Sequence, residues 1–274
     1  MTELRTHSHD GHPVTALDTG AGPTLLVVHP GGGDVTCWDG VARRLVDDFR
    51  VVRIRRRIYL PGAQIALPHS MATEAADIVA VAALLAAPVL LVGHSSGAVA
   101  ALEAALLAPS AFAGLWLYEP PMPTTEPVAG EAGPRARAAV DRGDLVEAVR
   151  IHLRDVVRMP ADLVDAMLAD PRTREAFLVH AAAQIADDEA LDALGRGIGR
   201  FAGLGVPVTF VEGDLSPAHL RERLADLAAV LPHSRTTTLT GQGHIAHLTA
   251  PGALADSIRD AARRLTPGQR PAVG

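Results

Sequence analysis

The sequence predicts an α/β protein: a mostly parallel sheet with helices on both faces, interrupted once by an all-helical insertion. Two observations carry this. Short apolar, β-branched runs alternate along the chain with stretches of helical period, the pattern of strands linked by crossover helices. That alternation stops only between Met122 and Gly203, where from about Arg135 to Arg200 every stretch reads as helix. The 274 residues, 48% of them hydrophobic, suffice for a sizeable core. With only 3% aromatic residues, that core must rest on Ala, Val and Leu.

Each element has its own signal. Val14–Leu17 alternates after the turn signal Asp10-Gly11, which marks an early hairpin. Thr24–Val28 is a continuous apolar run, as in a strand buried on both faces. Val35–Asp48 reads as helix and Val51–Ile54 as strand. Met71–Ala87 has helical spacing, with Ser70 placed to cap it and Pro88 to stop it. Val89–Val92 is a further buried strand, followed by a helix over Ser96–Ala108 that Pro109 ends. Leu115–Tyr118 is a strand closed by Pro120-Pro121. In the helical stretch, Pro160 and Pro171 are dividers. The alternation then returns: Val206–Val211 strand, Ala218–Val230 helix, Thr236–Leu239 strand and Gly252–Leu265 helix. The Pro/Gly-rich tail from Pro267 is expected to fray. Residues 1–121 and 204–274 thus form the expected core and 122–203 the expected cap over it.

Composition excludes several chemistries. All 25 basic residues are arginine, and there is neither lysine nor asparagine. Schiff-base, pyridoxal-phosphate and P-loop chemistry all use a lysine amine. Against 31 acidic residues the net charge is −6, which disfavours nucleic acid as a partner. Cys37 is the only cysteine, so no intrachain disulfide forms. No apolar leader opens the chain, and the longest apolar run, Ala80 to Val92, is too short to span a bilayer. The expectation is a soluble cytoplasmic protein with no membrane partner, no cofactor and no metal.

In open α/β sheets ligands bind at the carboxyl ends of the strands, so chemistry is sought just after each one. Gly93-His94-Ser95-Ser96-Gly97 lies between a strand and a helix. This is G-x-S-x-G in the context that lifts a serine Oγ onto a sharp turn beside free helix amides. His29-Pro30-Gly31-Gly32-Gly33-Asp34 follows the Thr24–Val28 strand. A glycine-rich turn there can aim the Gly31 amide at a developing oxyanion, with the Ser96 amide as second donor; Pro30 has no N–H to offer. Gly241-Gln242-Gly243-His244 follows the last strand. A serine needs a base within hydrogen-bond reach, and His244 on its glycine-flanked loop suits that task better than its neighbour His247. His7, His9 and His12 fall on the hairpin, and His152 and His180 in the helical stretch.

In kind and order these segments resemble the α/β-hydrolase superfamily, over nearly the whole chain. The match includes an early hairpin, H-x-G-G after the third strand, G-H-S-x-G after the fifth, a helical cap after the sixth and G-x-G-H after the eighth. In detail the chain is similar to small bacterial hydrolases with a Tyr-Glu-Pro-Pro segment, here Tyr118-Glu119-Pro120-Pro121. The resemblance implies an eight-stranded sheet, a nucleophilic serine, an oxyanion hole, a histidine base and an acid that orients the histidine.

The acid departs from the family pattern. In Gly213-Asp214-Leu215-Ser216-Pro217 the usual acid position holds Ser216. Two carboxylates can replace it: Glu119, after the strand beside the nucleophile's, or Asp214, two residues early. Glu119 is the preferred reading and Asp214 the alternative, with helix capping as its plainer role. A second departure follows the fourth strand, where an acidic, glycine-rich turn gives way to Arg55-Arg56-Arg57-Ile58-Tyr59-Leu60. With Arg53 these arginines either pair with buried acids or place one guanidinium, Arg55 for instance, at the pocket rim to clamp a substrate anion. Trp38 and Tyr59 could line the acyl pocket, though aromatic residues more often fill a core. Cys37 reads as a buried small residue.

The resemblance implies a serine hydrolase cleaving an ester, thioester or lactone of a small-molecule acyl substrate through an acyl-enzyme on Ser95. The alternative is a cyclase, lyase or acyltransferase on the same fold. A third reading, a binding protein with a degenerate site, follows from the missing acid at Ser216.

Overall fold

One sheet of eight strands organises the molecule, described here from a computed structural model over residues 1–86 and 88–265. The strands are β1 (Thr2–His7), β2 (Pro13–Thr19), β3 (Thr24–Val28), β4 (Arg50–Ile54), β5 (Val89–His94), β6 (Phe112–Tyr118), β7 (Val208–Gly213) and β8 (Ser234–Leu239). Their spatial order is β1-β2-β4-β3-β5-β6-β7-β8. β1 and β2 pair antiparallel, as does β2 with β4, and every other pairing is parallel.

Alternation along the central strands divides the core in two. Leu26, Val28, Val89, Leu91, Leu115 and Leu117 face one layer, while Leu25, Val27, Leu90, Val92, Trp116 and Tyr118 face the other. The first layer is closed by α2 (Met71–Ala82), α3 (Ser96–Leu107) and α9 (Ala218–Val230), the second by α1 (Asp39–Leu45) and α11 (Pro251–Leu265). A short helix, α10 (Ala246–Thr249), precedes α11. α3 is apolar on nearly every side because the sheet and its helix neighbours enclose it.

Between β6 and β7 the described chain has no strand, and from Ala132 it is mostly helical. It contains α4 (Ala132–Asp141), α5 (Leu145–Ile151), α6 (Ala161–Ala169), α7 (Pro171–Leu178) and α8 (Ala181–Ala193). A π-helical turn, His152–Val156, extends α5. α8 packs on α4 and α5 and also reaches α3, so the helical stretch rests directly on the helix that follows Ser95.

Several boundaries differ from the sequence reading. Val35–Asp48 splits into a 3-10 turn over Val35–Trp38, capped by Asp34, and the α-helix α1. α2 stops at Ala82, and Ala87 lies outside the described residues, as does the tail from Pro267. β8 begins at Ser234, ahead of the expected Thr236. Its solvent-facing positions are polar because β8 is the outermost strand, so apolar run length understates it. No helix among the described residues is long and apolar enough to cross a membrane.

Candidate active site

Ser95 stands between β5 and α3 at φ 54°, ψ −129°, a conformation L-residues avoid. The surroundings hold it there. Its amide donates to the Tyr118 carbonyl at 2.9 Å, and its own carbonyl accepts from Ala98 N at 2.8 Å. Neighbouring glycines make the turn possible. A Cβ on Gly93 would lie 2.6 Å from Ala98 Cα, and one on Gly97 2.3 Å from the His29 carbonyl oxygen. The Ser96 amide opens α3, where helix N–H groups have no intrahelical acceptor.

His244 reaches Ser95 from the loop after β8. Its Nε2 lies 3.1 Å from Ser95 Oγ, and its Nδ1 lies 2.6 Å from Glu119 Oε2. A carboxylate only accepts, so Nδ1 carries the hydrogen and Nε2 is free to accept the serine proton. Glu119 is fully buried at the end of β6. Its other oxygen, Oε1, accepts the Gly213 amide at 2.7 Å, which fixes the carboxylate against the end of β7. Glu119 is also held at positive φ, 45°. Among the described residues it is Glu119, and not Asp214, that hydrogen-bonds His244. Asp214 Oδ1 accepts the Gly241 amide at 2.7 Å and ties the end of β7 to the loop after β8. Ser216, where the acid was expected from the resemblance, is buried with its hydroxyl unpartnered.

Side chains that the sequence reading did not single out steer the His244 loop. Tyr118 Oη donates to the Gly243 carbonyl, and His94 Nε2 donates to the His244 carbonyl at 3.0 Å. The His94 ring stacks on Tyr118, while His247 stacks on Trp38. Burial, with the neighbouring His247 and His244, pushes the His94 pKa well down. Burial and His244 push that of His247 down to about 4. Both rings are therefore neutral near pH 7: His94 packs and donates a hydrogen bond, while His247 packs. The resemblance carried His94 within G-H-S-x-G but gave its ring no task.

An alpha/beta hydrolase family model matches residues 25–257, which contain every group just described. The chain belongs to the alpha/beta hydrolase family. Among solved structures, an alpha/beta hydrolase from Sphaerobacter thermophilus is similar at 27% identity and TM-score 0.81, covering 94% of this chain and 99% of that one. A thermophilic esterase from Thermogutta terrifontis is 21% identical at TM-score 0.71, over 97% and 99% of the two chains. An enol-lactonase from Burkholderia xenovorans is 20% identical at TM-score 0.75, over 95% and 100%. The search of curated protein sequences gave no match.

In this alpha/beta hydrolase the arginine turn after β4 faces inward. Arg56 is 1% exposed and makes four hydrogen bonds: to Glu74 Oε2 at 3.0 Å, Asp187 Oδ1 at 2.7 Å, Ser96 Oγ at 2.9 Å and the His29 carbonyl at 3.4 Å. Asp187 Oδ2 in turn accepts from Ser96 Oγ at 2.6 Å and Tyr59 Oη at 2.9 Å. Burial alone would weaken Arg56 as a cation, but Asp187 and Glu74 outweigh it and hold the guanidinium charged. One guanidinium therefore joins Ser96, the residue after Ser95, to α2 and α8.

Of the two readings of the arginine turn, pairing with acids matches the geometry, and the placement of Arg55 at the pocket rim is corrected. Arg55 lies 3.9 Å from Glu3, Arg57 pairs with Asp10 and Asp77, and Arg53 pairs with Asp39. None of the four lines the cavity beside Ser95, because each is drawn to an acid elsewhere. Trp38 and Tyr59 are corrected likewise. Each is 1% exposed and packed in the core, and neither lines the cavity. Cys37 does line it, but burial raises its thiol pKa to about 12, which leaves it protonated.

The cavity beside Ser95 measures about 300 Å³. Its floor is Gly31, Ser95, Ser96 and His244, and its roof is drawn largely from α5, the π-helical turn and α8. Most of the lining is apolar, for instance Val149, Leu153 and Ile185. Gly31 is pressed under α8, where an added Cβ would sit 2.4 Å from Gln184 Oε1 and 2.8 Å from Tyr59 Oη. His29 is buried with Nδ1 donating to the Pro30 carbonyl at 2.8 Å, so it shapes the turn. Among the described residues no cluster of His, Cys, Asp and Glu could hold a metal ion.

Proposed function

We propose that the protein is a serine hydrolase that cleaves an ester, thioester or lactone of a small apolar acyl compound, with residues 122–203 acting as the cap. The observation that carries this reading is the unbroken chain from Ser95 Oγ through His244 to Glu119 at the floor of an apolar cavity.

The geometry supports the following steps. Ser95 Oγ attacks the acyl carbonyl carbon as His244 Nε2 takes its proton. The imidazolium so formed is stabilised by Glu119 through Nδ1–H. Charge on the carbonyl oxygen is received by the amides of Ser96 and Gly31, both at the cavity floor. The C–O or C–S bond to the leaving group breaks, and His244 returns the proton to the leaving oxygen or sulfur. Water, deprotonated by His244, then attacks the acyl-enzyme and releases the acid and free Ser95.

Incubation with a fluorophosphonate probe and with p-nitrophenyl acetate tests this. Labelling and turnover are expected in the wild type and lost in Ser95→Ala. An unlabelled, inactive wild type would sink the reading.

A further inference from the structure

The roof of the cavity carries a second histidine–carboxylate pair. His152 Nδ1 lies 2.7 Å from Asp188 Oδ2, and Gln184 Nε2 donates to Asp188 Oδ1 at 3.0 Å. All three residues line the cavity that Ser95 and His244 floor. Asp188 is 3% exposed, and burial raises its pKa against the pull of His152. His152 keeps part of its ring open, and its Nε2 has no hydrogen-bond partner among the described residues. The backbone changes character at this residue. His152 begins the π-helical turn, with Val157 N donating to its carbonyl at 2.9 Å. Such single π turns recur at functional sites.

Packing alone does not account for the pair. A carboxylate in an apolar roof carries a desolvation cost that a leucine would avoid. Nor does the Ser95 chemistry use it, since Glu119 already serves His244. Other polar groups of the lining are committed elsewhere or lack such backing. Arg223 spends its guanidinium on the carbonyls of Met122, Glu126 and Pro127. His219 has no carboxylate behind it, and burial with Arg158 nearby brings its pKa down to about 4. His152 is thus the one imidazole outside the Ser95 site that a carboxylate orients toward the cavity among the described residues.

We infer that His152, oriented by Asp188, is a recognition site for a hydroxyl carried on the acyl chain of the substrate. The chemistry selects that group. With Nδ1–H given to Asp188, Nε2 is an acceptor when the ring is neutral and a donor when it is charged. A hydroxyl both donates and accepts, so it satisfies Nε2 in either state. A ketone satisfies only the charged ring, and a plain alkyl chain satisfies neither. The substrate class is therefore a hydroxyacyl ester, thioester or lactone: apolar along Val149, Leu153 and Ile185, with one hydroxyl under the roof. This rests on the hydrolase reading for the identity of the scissile bond, while the hydroxyl site itself does not.

Binding to the Ser95→Ala protein separates the two. Methyl octanoate and its positional monohydroxy isomers are titrated by calorimetry. At least one isomer is expected to bind about ten- to a hundred-fold tighter than methyl octanoate, as for a hydrogen bond to a charge-backed group. In Ser95→Ala/His152→Phe that ratio should fall to about one. Ser95→Ala/His152→Gln, which keeps a polar side chain but no oriented ring, should lose it as well and serves if the phenylalanine variant does not fold. No gain for any isomer, or a gain that survives both substitutions, overturns the inference. Neither measurement needs turnover, so an unreactive Ser95 would end the hydrolase reading and leave this result standing on its own.

Discussion

Glu119 joins the end of β7 to the loop after β8: Oε2 lies 2.6 Å from His244 Nδ1 while Oε1 accepts the Gly213 amide at 2.7 Å. The second bond removes the freedom that a long side chain would otherwise bring to the site. Glu119→Gln keeps the shape but loses the charge that stabilises the imidazolium. Turnover of p-nitrophenyl acetate should fall by about 10²–10⁴-fold. Asp214→Asn should cost far less, because Asp214 bonds the Gly241 amide and not the ring. The opposite order of effects would move the acid to Asp214.

The elbow glycines should tolerate nothing larger. Gly97→Ala places Cβ 2.3 Å from the His29 carbonyl oxygen, a contact with rigid backbone. A loss of at least about 3 kcal/mol is expected, together with loss of probe labelling at Ser95. Gly241→Ala is the control. It carries φ +71° but has nothing within 4 Å, so only the left-handed backbone is penalised, by about 1–2 kcal/mol. Urea unfolding of the two variants compares them directly.

Breaking the Arg56–Asp187 pair should be severe, since both side chains are fully buried. Asp187→Leu leaves a buried cation with one fewer partner, and the expected cost is about 3–5 kcal/mol. Arg56→Lys is not conservative here. A single ammonium cannot reach Glu74, Asp187 and Ser96 from the directions the planar guanidinium serves. Equal melting temperatures for wild type and Arg56→Lys would contradict this.

Stability should decline as the solution is acidified from about pH 6.5 toward 4. Burial, aided by Arg56, brings the His29 pKa from 6.5 down to about 4, and burial does the same for His247. As pH falls through that window the unfolded chain takes up protons that the folded chain refuses, so unfolding is favoured. Each ring accounts for on the order of 3 kcal/mol when the window is fully crossed. Glu74 acts in the same sense at lower pH: burial would raise its pKa, but Arg56 and His69 outweigh burial and hold it low. Circular dichroism melts across this range measure the slope. His247→Phe keeps the stack on Trp38 but cannot titrate, so its slope should be shallower.

Much of the fold could be read from local signals. Ser95 was legible because strand, G-x-S-x-G and helix are contiguous, and His244 because Gly241 and Gly243 precede it on the loop after a β-branched run. Glu119 could be ranked above Asp214 but the choice could not be closed, since it depends on how the ends of β6 and β7 stand relative to the β8 loop. The arginine turn was visible, but its burial was not: Arg56 and Asp187 are 131 positions apart. Asp187 and Asp188 carried one available signal. In α8, Asp188 falls on the face of Ala181 and Ile185, and Asp187 on that of Ala183 and Leu191, so acids occupy apolar faces. Trp38 follows the glycine-rich loop after β3 and Tyr59 follows β4, and both rings pack in the core, the commoner of the two places open to them.

Two adjacent residues of α8 face different tasks: Asp187 grips Arg56 and the Ser96 hydroxyl beneath the helix, while Asp188 looks into the cavity with His152. Because one peptide bond separates them, the helix cannot be rotated or slid to reshape the cavity without dragging the turn behind Ser95. The roof is therefore not an interchangeable module. Grafting the equivalent segment of a relative onto this sheet would have to carry its own counterion for Arg56, or replace that arginine too. The shape of the cavity is open to alteration residue by residue from α5 and the π-helical turn, and closed to wholesale exchange through α8.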